Sequence, residues 1–178
     1  FTFYVVVLVE RGGLDLVTAG ATFSIMHVGG IIGRPFLGWI SDRVLPARPL
    51  LSLIGFLIFG CGLALAALDD SWPRPLLWAV SLGAGIVAAG WNGVYISEIA
   101  RVMPGPEVAR ATGGVSAFTF LGVAIGPAVF SAMVAMTEDY VAGFLTVGTV
   151  ALIPALLLLR APRKLNQPSA SNHGESET

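Results

Sequence analysis

The residue types and spacing best suited to chemistry lie between residues 33 and 43, which read GRPFLGWISDR. Gly38 would let a neighbouring helix approach closely. Asp42 lies one turn later on the same face, where a carboxylate can pair with a base or cap the positive N-terminus of an adjacent helix. Arg43 offers a forked donor to a carboxylate on another loop. The alternative is a short basic loop that serves only membrane topology.

Two ionisable side chains lie in the apolar run around the start of this motif. His27 is close to the middle of the run, and Arg34 follows seven residues later, about two helical turns along the same face. Arg34 is near enough to the end of the run for its side chain to snorkel towards water. Imidazole changes charge near physiological pH, so His27 could bind substrate or carry a proton. It could equally form a hydrogen bond between packed helices.

Further polar candidates lie in later, glycine-rich stretches. Trp91 and Asn92 stand among several glycines, a composition typical of a bending helix that lines a cavity. Asn92 could bind a substrate or join two helices by a hydrogen bond. Thr119 is a weaker cavity candidate. The chain therefore offers neutral polar groups, rather than a charged cluster, as its main cavity lining.

A glycine–proline pattern occupies the same stretch as Thr119. Gly122 and Gly126 are four residues apart and are predicted to pack closely against another helix. Pro127 and Pro154 lie inside apolar segments and are predicted to kink them.

These candidates fall in segments that are long and apolar enough to cross a membrane, which takes about 20 residues. Hydrophobic residues make up 55% of the 178 residues and charged residues only 12%, against about 25% charged in soluble domains. This composition excludes a disordered chain and argues against a soluble enzyme or a nucleic-acid-binding domain. The predicted spans cover residues 18–40, 49–68, 76–97, 111–136 and 141–159.

The two ends of the chain differ from these spans. Residues 1–9 are apolar but too short to span, and we interpret them as part of a helix whose beginning is missing. Residues 161–178 have little to bury and are predicted to be a disordered tail. A single cysteine, Cys61, and two histidines predict neither a disulfide framework nor a metal cluster.

The distribution of basic residues predicts the orientation. Alternating spans give one set of loops at residues 10–16, 69–75 and 137–140, and a second set at 41–48, 98–110 and the tail. The first set has two flanking basic residues and the second has eight. Because positive charge is retained in the cytoplasm, the second set and the C-terminus are predicted to be cytoplasmic.

In this setting the chain resembles the major facilitator superfamily. The loop signature of that family, Gly-x-x-x-Asp-Arg/Lys-x-Gly-Arg-Arg/Lys, follows its second helix and, in weaker form, its eighth. Gly38, Asp42 and Arg43 match the signature, whereas residues 45–47 depart from it, which suits the second copy. Residues 98–113 look like the family's loop between helices ten and eleven. The pattern at residues 122–127 looks like the glycine–proline packing motif of helix five, here at its pseudo-symmetric position.

The resemblance implies an all-α polytopic membrane protein of the superfamily's helical-bundle type. Residues 1–160 would form the C-terminal half, from the end of helix seven to helix twelve. The implied function is transport of a small solute by a secondary transporter with alternating access. The chain would supply one half of the cavity and the cytoplasmic gate, with the missing N-terminal half as its partner.

Family structures imply that charges on the cytoplasmic face form ion pairs that hold the two halves together in the outward-open state. We expect Arg43 to pair with Glu98. The alternative is that these charged side chains lie at helix ends in solvent, where an ion pair contributes about 0–1 kcal/mol to stability. The predicted gate and motif residues are Gly38, Asp42, Arg43, Glu98, Arg101, Glu107 and Arg110; the predicted cavity residues are His27, Trp91, Asn92 and Thr119; the predicted packing residues are Gly122, Gly126 and Pro127.

A non-transporting polytopic membrane protein, such as a receptor, scaffold or relic, is the alternative function. An intramembrane enzyme is disfavoured because no nucleophile motif surrounds Ser24, which shares a segment with His27. We expect no enzymatic activity, no metal, no nucleic-acid partner and no cofactor other than a coupling proton. The expected partners are a small-molecule substrate and the lipid of a bacterial inner (plasma) membrane.

Overall fold

A computed structural model describes residues 3–103 and 105–160, and these residues form six α-helices. The helices are α1 (Tyr4–Glu10), α2 (Leu16–Arg43), α3 (Ala47–Ala66), α4 (Arg74–Val102), α5 (Gly105–Thr137) and α6 (Tyr140–Arg160). The last five are long and apolar enough to cross a membrane. The described ranges contain no strand, which confirms the predicted all-α class. The predicted tail at 161–178 lies outside the described residues.

The helices extend further than the apolar spans. Residues 98–110 were predicted to be a connecting loop, but α4 continues to Val102 and α5 begins at Gly105. Hydropathy marks only the part of a helix inside hydrocarbon, whereas Glu and Arg are good helix formers that continue the backbone hydrogen bonding beyond it. At 1.5 Å per residue, α5 is roughly 50 Å long, against about 30 Å of hydrocarbon.

The start of α2 is defined by a side-chain cap. Asp15 has an extended backbone and accepts hydrogen bonds from the Thr18 backbone N–H (3.0 Å) and hydroxyl (2.7 Å). The hydroxyl bond, followed by the backbone bond, holds the pKa of the Asp15 carboxyl below its ordinary value. The cap therefore persists at neutral pH and is lost only as acid protonates the carboxylate.

The tightest contact in the bundle joins α2 and α4. A Cβ atom added to Gly33 would lie 2.6 Å from the carbonyl oxygen of Ile86, and one added to Gly85 would overlap the carbonyl oxygen of Met26. Gly29 and Gly90 are similarly enclosed by the opposite helix. Only hydrogen fits at these positions, so the two backbones pack directly against each other, as small residues allow in membranes.

A second pair, α3 and α6, packs through small residues and one buried hydrogen bond. Ser52 is 1% exposed, and its hydroxyl donates to the carbonyl oxygen of Ala155 at 2.7 Å. A Cβ atom added to Gly55 would lie 2.7 Å from the Cβ of Ala155. In lipid, such packing and hydrogen bonding replace the hydrophobic drive that is absent between helices.

At the end of the bundle away from the predicted cytoplasmic face, charged groups link the ends of several helices. The Arg11 guanidinium, just after α1, donates to the carbonyl oxygen of Ala66 at 3.3 Å and lies 3.5 Å from the Asp139 carboxylate. We call this set of contacts the end clasp. Asp139 belongs to the turn between α5 and α6, where Glu138 adopts a left-handed φ of 54°. The clasp therefore connects α1, α3 and the α5–α6 turn.

The α2–α4 contact predicts that an added methyl group has unequal effects on stability at two nearby glycines of α4. Gly85→Ala should lower the stability of the folded protein by about 1–3 kcal/mol, because overpacking forces the backbones apart. Gly83→Ala is the matched control, since its added Cβ meets nothing within 4 Å, and it should be neutral or slightly stabilising. Thermal melting in detergent distinguishes the two, and equal melting temperatures would contradict the close contact.

Candidate solute pathway and gate

Arg34 lies inside α2 and is exposed at the surface of the described bundle. It precedes the C-terminal residue of α2 by nine positions, or roughly 13.5 Å along the helix. Among the described residues it forms no ion pair. The charge is thus presented outwards, at a depth where charged side chains normally face a water-filled path or another helix.

The α2–α4 contact places two of the predicted cavity residues beside Arg34. A Cβ atom added to Gly93 would lie 3.5 Å from the Arg34 carbonyl oxygen, so Asn92 is at the same level of the bundle. Asn92 is half-buried, and its amide forms no hydrogen bond with a described residue. Trp91 is half-buried and packs beside Tyr95, with ring centroids 6.5 Å apart. A charged donor and an amide therefore lie at one level.

The other two predicted cavity residues have local partners. The His27 Nδ1 lies 3.1 Å from the carbonyl oxygen of Phe23, and the imidazole contacts the Phe23 ring edge-on at 4.3 Å. The Thr119 hydroxyl donates to Val115 of its own helix at 2.9 Å. His27 lies a further two turns from the predicted cytoplasmic end than Arg34, so the structure does not gather all four residues at one point.

At the predicted cytoplasmic end, Glu98 forms an ion pair with Arg101 of the same helix. Arg43 forms no ion pair with a described residue in this conformation, so the expected pair of Arg43 with Glu98 stays a prediction. The α2–α4 register does bring the ends of these two helices to similar levels, but Arg101, three residues along α4, is the nearer base. Arg101 is 57% exposed at its side chain, so the pair contributes little to stability.

The remaining gate residues line the same end without a described ion-pair partner. Asp42, Arg43, Glu107 and Arg110 are all exposed. Glu107 lies in the first turn of α5, where a negative charge interacts favourably with the helix dipole. Gly38 was predicted to admit a neighbouring helix, but an added Cβ there meets nothing within 4 Å among the described residues.

An apolar cavity of about 510 Å³ lies between the helices, away from the gate charges. Its walls come from all six helices and include Tyr4, Met26, Cys61, Gly122 and Phe130. Gly122 and Gly126, predicted to be packing residues, border this space with no described atom within 4 Å of an added Cβ. The predicted packing role of these two glycines therefore stays a prediction.

One buried polar pair was not predicted from the sequence. Tyr4 of α1 is 4% exposed, and its hydroxyl lies 2.5 Å from the Ser81 hydroxyl of α4. Because Ser81 donates to the carbonyl oxygen of Leu77 at 2.6 Å, Tyr4 is the donor in the bond between the two hydroxyls. The two residues are 77 positions apart. Only the presence of a serine and a tyrosine in apolar segments pointed to them.

Comparisons with known proteins agree on one family. A sequence profile of the Major Facilitator Superfamily matches residues 1–177. The probable nitrate/nitrite transporter NarK2 of Mycobacterium tuberculosis is 30% identical over 79% of this chain and 35% of its own length. Monocarboxylate transporter 11 of Homo sapiens is 30% identical over 86% of this chain and 34% of its own length.

The membrane sensor protein UhpC of Salmonella typhimurium is 28% identical over 89% of this chain and 37% of its own length. The chain thus spans about a third of the length of the curated relatives it matches. No solved structure matches it.

The direction of the Tyr4–Ser81 hydrogen bond predicts unequal effects of removing its two partners. Tyr4→Phe removes only the donor and should cost about 0.6–1.7 kcal/mol. Ser81→Ala leaves the buried Tyr4 hydroxyl without its acceptor and should cost more, about 1–3 kcal/mol. Denaturation of both single variants and the double variant measures the coupling, with Tyr95→Phe as control. Additive effects would contradict the bond.

Proposed function

Because the chain belongs to the Major Facilitator Superfamily, we propose that it is part of a secondary transporter that moves a small anion across the membrane by alternating access. Five apolar helices and the family make it an integral membrane protein. The observation that carries the anion proposal is the exposed Arg34 within α2. The names of two relatives, which refer to nitrate or nitrite and to monocarboxylates, support the same class of solute.

The position of Arg34 in α2 favours a role in binding the solute, rather than only an extension of its side chain to the membrane–water interface. Arg34 lies two to three turns inside the end of α2, and charged residues within membrane helices are costly and mark substrate or ion pathways. The guanidinium fork matches the two oxygens of a carboxylate or nitrate group. Asn92, at the same level, would donate a further hydrogen bond from its amide to the anion.

We propose that the charged residues at the predicted cytoplasmic end of α2, α4 and α5 act as the cytoplasmic gate. Glu98 and Arg101 form an ion pair in this conformation, while Asp42, Arg43, Glu107 and Arg110 form none with described residues. In a gate, some of these groups would exchange partners with the other half of the transporter as it opens. The exposed, weakly bound state of these charges is suited to such exchange, because each exposed pair contributes only about 0–1 kcal/mol.

A sensor is the second candidate function, favoured by the similarity to the membrane sensor protein UhpC. A sensor of this family would bind a solute at the same level of α2 and α4 without moving it. A transporter and a sensor would both bind the solute, but only the transporter would move it across the membrane. Binding and uptake are therefore measured on the same preparation.

We expect Arg34→Gln, made in the full-length gene product, to weaken anion binding and uptake by about 10- to 150-fold. That is the loss of one charge-assisted hydrogen bond of about 1.5–3 kcal/mol. The measurement is isotope uptake of nitrate and lactate into proteoliposomes, together with calorimetric binding. Arg34→Lys should retain part of the affinity because it keeps the charge but not the fork.

The matched control is Arg48→Gln, which removes the same charge from the exposed first turn of α3. It should leave uptake unchanged. Equal losses for Arg34→Gln and Arg48→Gln would contradict a specific anion site. Binding without uptake in the unmutated protein would favour the sensor, and neither binding nor uptake would refute the anion class.

The gate proposal predicts that Glu98→Gln favours the inward-open state by at most about fivefold, since an exposed pair contributes no more than about 1 kcal/mol. In a Cys61→Ala background, a cysteine introduced by Ala88→Cys on α4 should then react faster with a reagent added from the cytoplasmic side. Asp70→Asn, an exposed acid at the opposite end, should not change the rate. Identical rates for both variants would argue against the gate.

A further inference from the structure

A stripe of side chains on α2 runs beside the α2–α4 contact. It contains Phe23, His27, Ile31 and Arg34, at spacings of four, four and three residues. Side chains at these spacings lie on one face of a helix. Because eleven residues separate its two ends, the stripe covers about three turns, or roughly 16.5 Å. It therefore extends over about half of the hydrocarbon thickness of a bilayer.

A second stripe, on α4, has the same length. It contains Ser81, Ala88 and Asn92, at spacings of seven and four residues. These spacings also keep the three side chains on one face of the helix. The first and last residues of this stripe are eleven positions apart as well, so the two stripes match turn for turn wherever their ends are level.

At the end away from the predicted gate, one aromatic residue joins the two stripes. The Tyr4 ring of α1 lies 6.3 Å from the Phe23 ring of α2, measured between centroids. The Tyr4 hydroxyl lies 2.5 Å from the Ser81 hydroxyl of α4. The first residue of each stripe therefore contacts the same side chain, and the two stripes begin at the same level.

At the other end, backbone contacts bring the stripes together. A Cβ atom added to Gly93 would lie 3.5 Å from the carbonyl oxygen of Arg34, which puts Asn92 level with Arg34. One turn further from the gate, a Cβ atom added to Gly30 would lie 3.1 Å from the Cβ of Ala89. The stripes are thus the two sides of one groove, the α2–α4 groove, which Tyr4 closes at its far end. The relative level of its sides is fixed by these contacts and does not depend on what covers the groove.

The polar donors of the α2–α4 groove are gathered at its gate end. Arg34 and Asn92 lie there, whereas Ile31 and Ala88, one turn further in, offer only apolar atoms to the groove. The Ile31 side chain is 71% exposed among the described residues, so it borders the groove rather than the helix contact. Residues 24–33 and 82–91, which lie between the ends of the stripes, include no Lys, Arg, Asp or Glu. An anion held at Arg34 would therefore have donors on one side and hydrocarbon on the other.

This asymmetry distinguishes two kinds of anion. Nitrate carries its charge on three equivalent oxygens, so a nitrate ion at Arg34 would place an oxygen against Ile31, and an acceptor without a donor is costly to bury. A monocarboxylate carries both charged oxygens at one end and hydrocarbon at the other. Its oxygens match the guanidinium fork, and its hydrocarbon is stabilised by burial against apolar atoms.

We propose that the solute is an organic monocarboxylate with a short apolar tail, and that Ile31 and Ala88 determine the accepted length of that tail. The inference rests on the proposed anion site at Arg34 and narrows its class of solute. Arg34 and His27 are roughly 10.5 Å apart along α2, so a carboxylate at Arg34 leaves room for about four or five carbons before the level of the imidazole. The methyl group of Ala88 leaves the opposite side of the groove open to this tail.

Calorimetric binding of a carboxylate series to the full-length gene product in lipid nanodiscs tests the inference. We expect affinity to rise by about two- to fourfold for each CH₂ group from formate to pentanoate, because each group buries hydrocarbon. Nitrate should bind no more tightly than formate. Ile31→Ala should lower the ratio of pentanoate to formate affinity by about three- to tenfold. Ala88→Leu should lower the same ratio because its side chain fills the groove.

The matched control is Ile32→Ala, which makes the same change at the next residue, off the stripe and 51% exposed. It should leave the affinity ratio unchanged. Equal effects of Ile31→Ala and Ile32→Ala, or tighter binding of nitrate than of pentanoate, would overturn the inference. Tighter binding of glutarate than of pentanoate would indicate a second anion site near His27 and would overturn the monocarboxylate class.

The same series measured with Arg34→Gln separates this inference from the proposed function. If Arg34→Gln weakens every anion and affinity does not depend on tail length, the anion site holds and the groove inference fails. If affinity rises with tail length but does not respond to Arg34→Gln, the groove binds tails and the proposed anion site fails. Binding that depends on neither would overturn both.

Discussion

The backbone contact between α2 and α4 determines the relative level of Arg34 and Asn92, the two polar groups of the proposed binding site. Glycine at Gly33 and Gly85 leaves no side chain between the helices, so neither helix can shift along the other without a clash. Arg34 and Asn92 reach the same level only because of this register. A contact made of backbone atoms also keeps its geometry when surrounding side chains change rotamer. It therefore fixes the relative position of the backbones that carry Arg34 and Asn92.

The helices α3, α6 and α5 differ in how closely they are packed against their neighbours. The α3–α6 pair combines small residues with the Ser52–Ala155 hydrogen bond, and both helices are closely packed along the contact. Helix α5 lies next to α6 but is fixed mainly by Phe130 and by the end clasp at Arg11. Among the described residues, a more exposed helix and a more closely packed pair thus lie side by side, with open space between α5 and α6.

The membrane helices could be predicted because each is a long apolar run, and the family could be recognised from Gly38, Asp42 and Arg43 in their setting. The ends of α4 and α5 could not, since hydropathy does not register a helix that continues into water. The ion pair of Glu98 with Arg101 was not singled out from the sequence, although the two residues stand at helical spacing. Glycine spacing also failed to separate Gly85, which is enclosed, from Gly38 and Gly122, which are open. That difference depends on which helix lies opposite.

The pairing of α2 with α4, and of α3 with α6, also constrains how the chain is built. Helices α2 and α3 are consecutive but contact each other little, and the main partner of each is synthesised later. In a nascent chain, α2 therefore lacks its main partner until α4 has entered the bilayer. During that time the glycines of its contact face have no helix against them, and Arg34 lies in its apolar stretch. Helix α3 lacks its main partner for longer still, because that partner is α6, the last span. The bundle consequently assembles by interleaving rather than hairpin by hairpin, and a ribosome that stalls before α6 leaves α3 without its main partner.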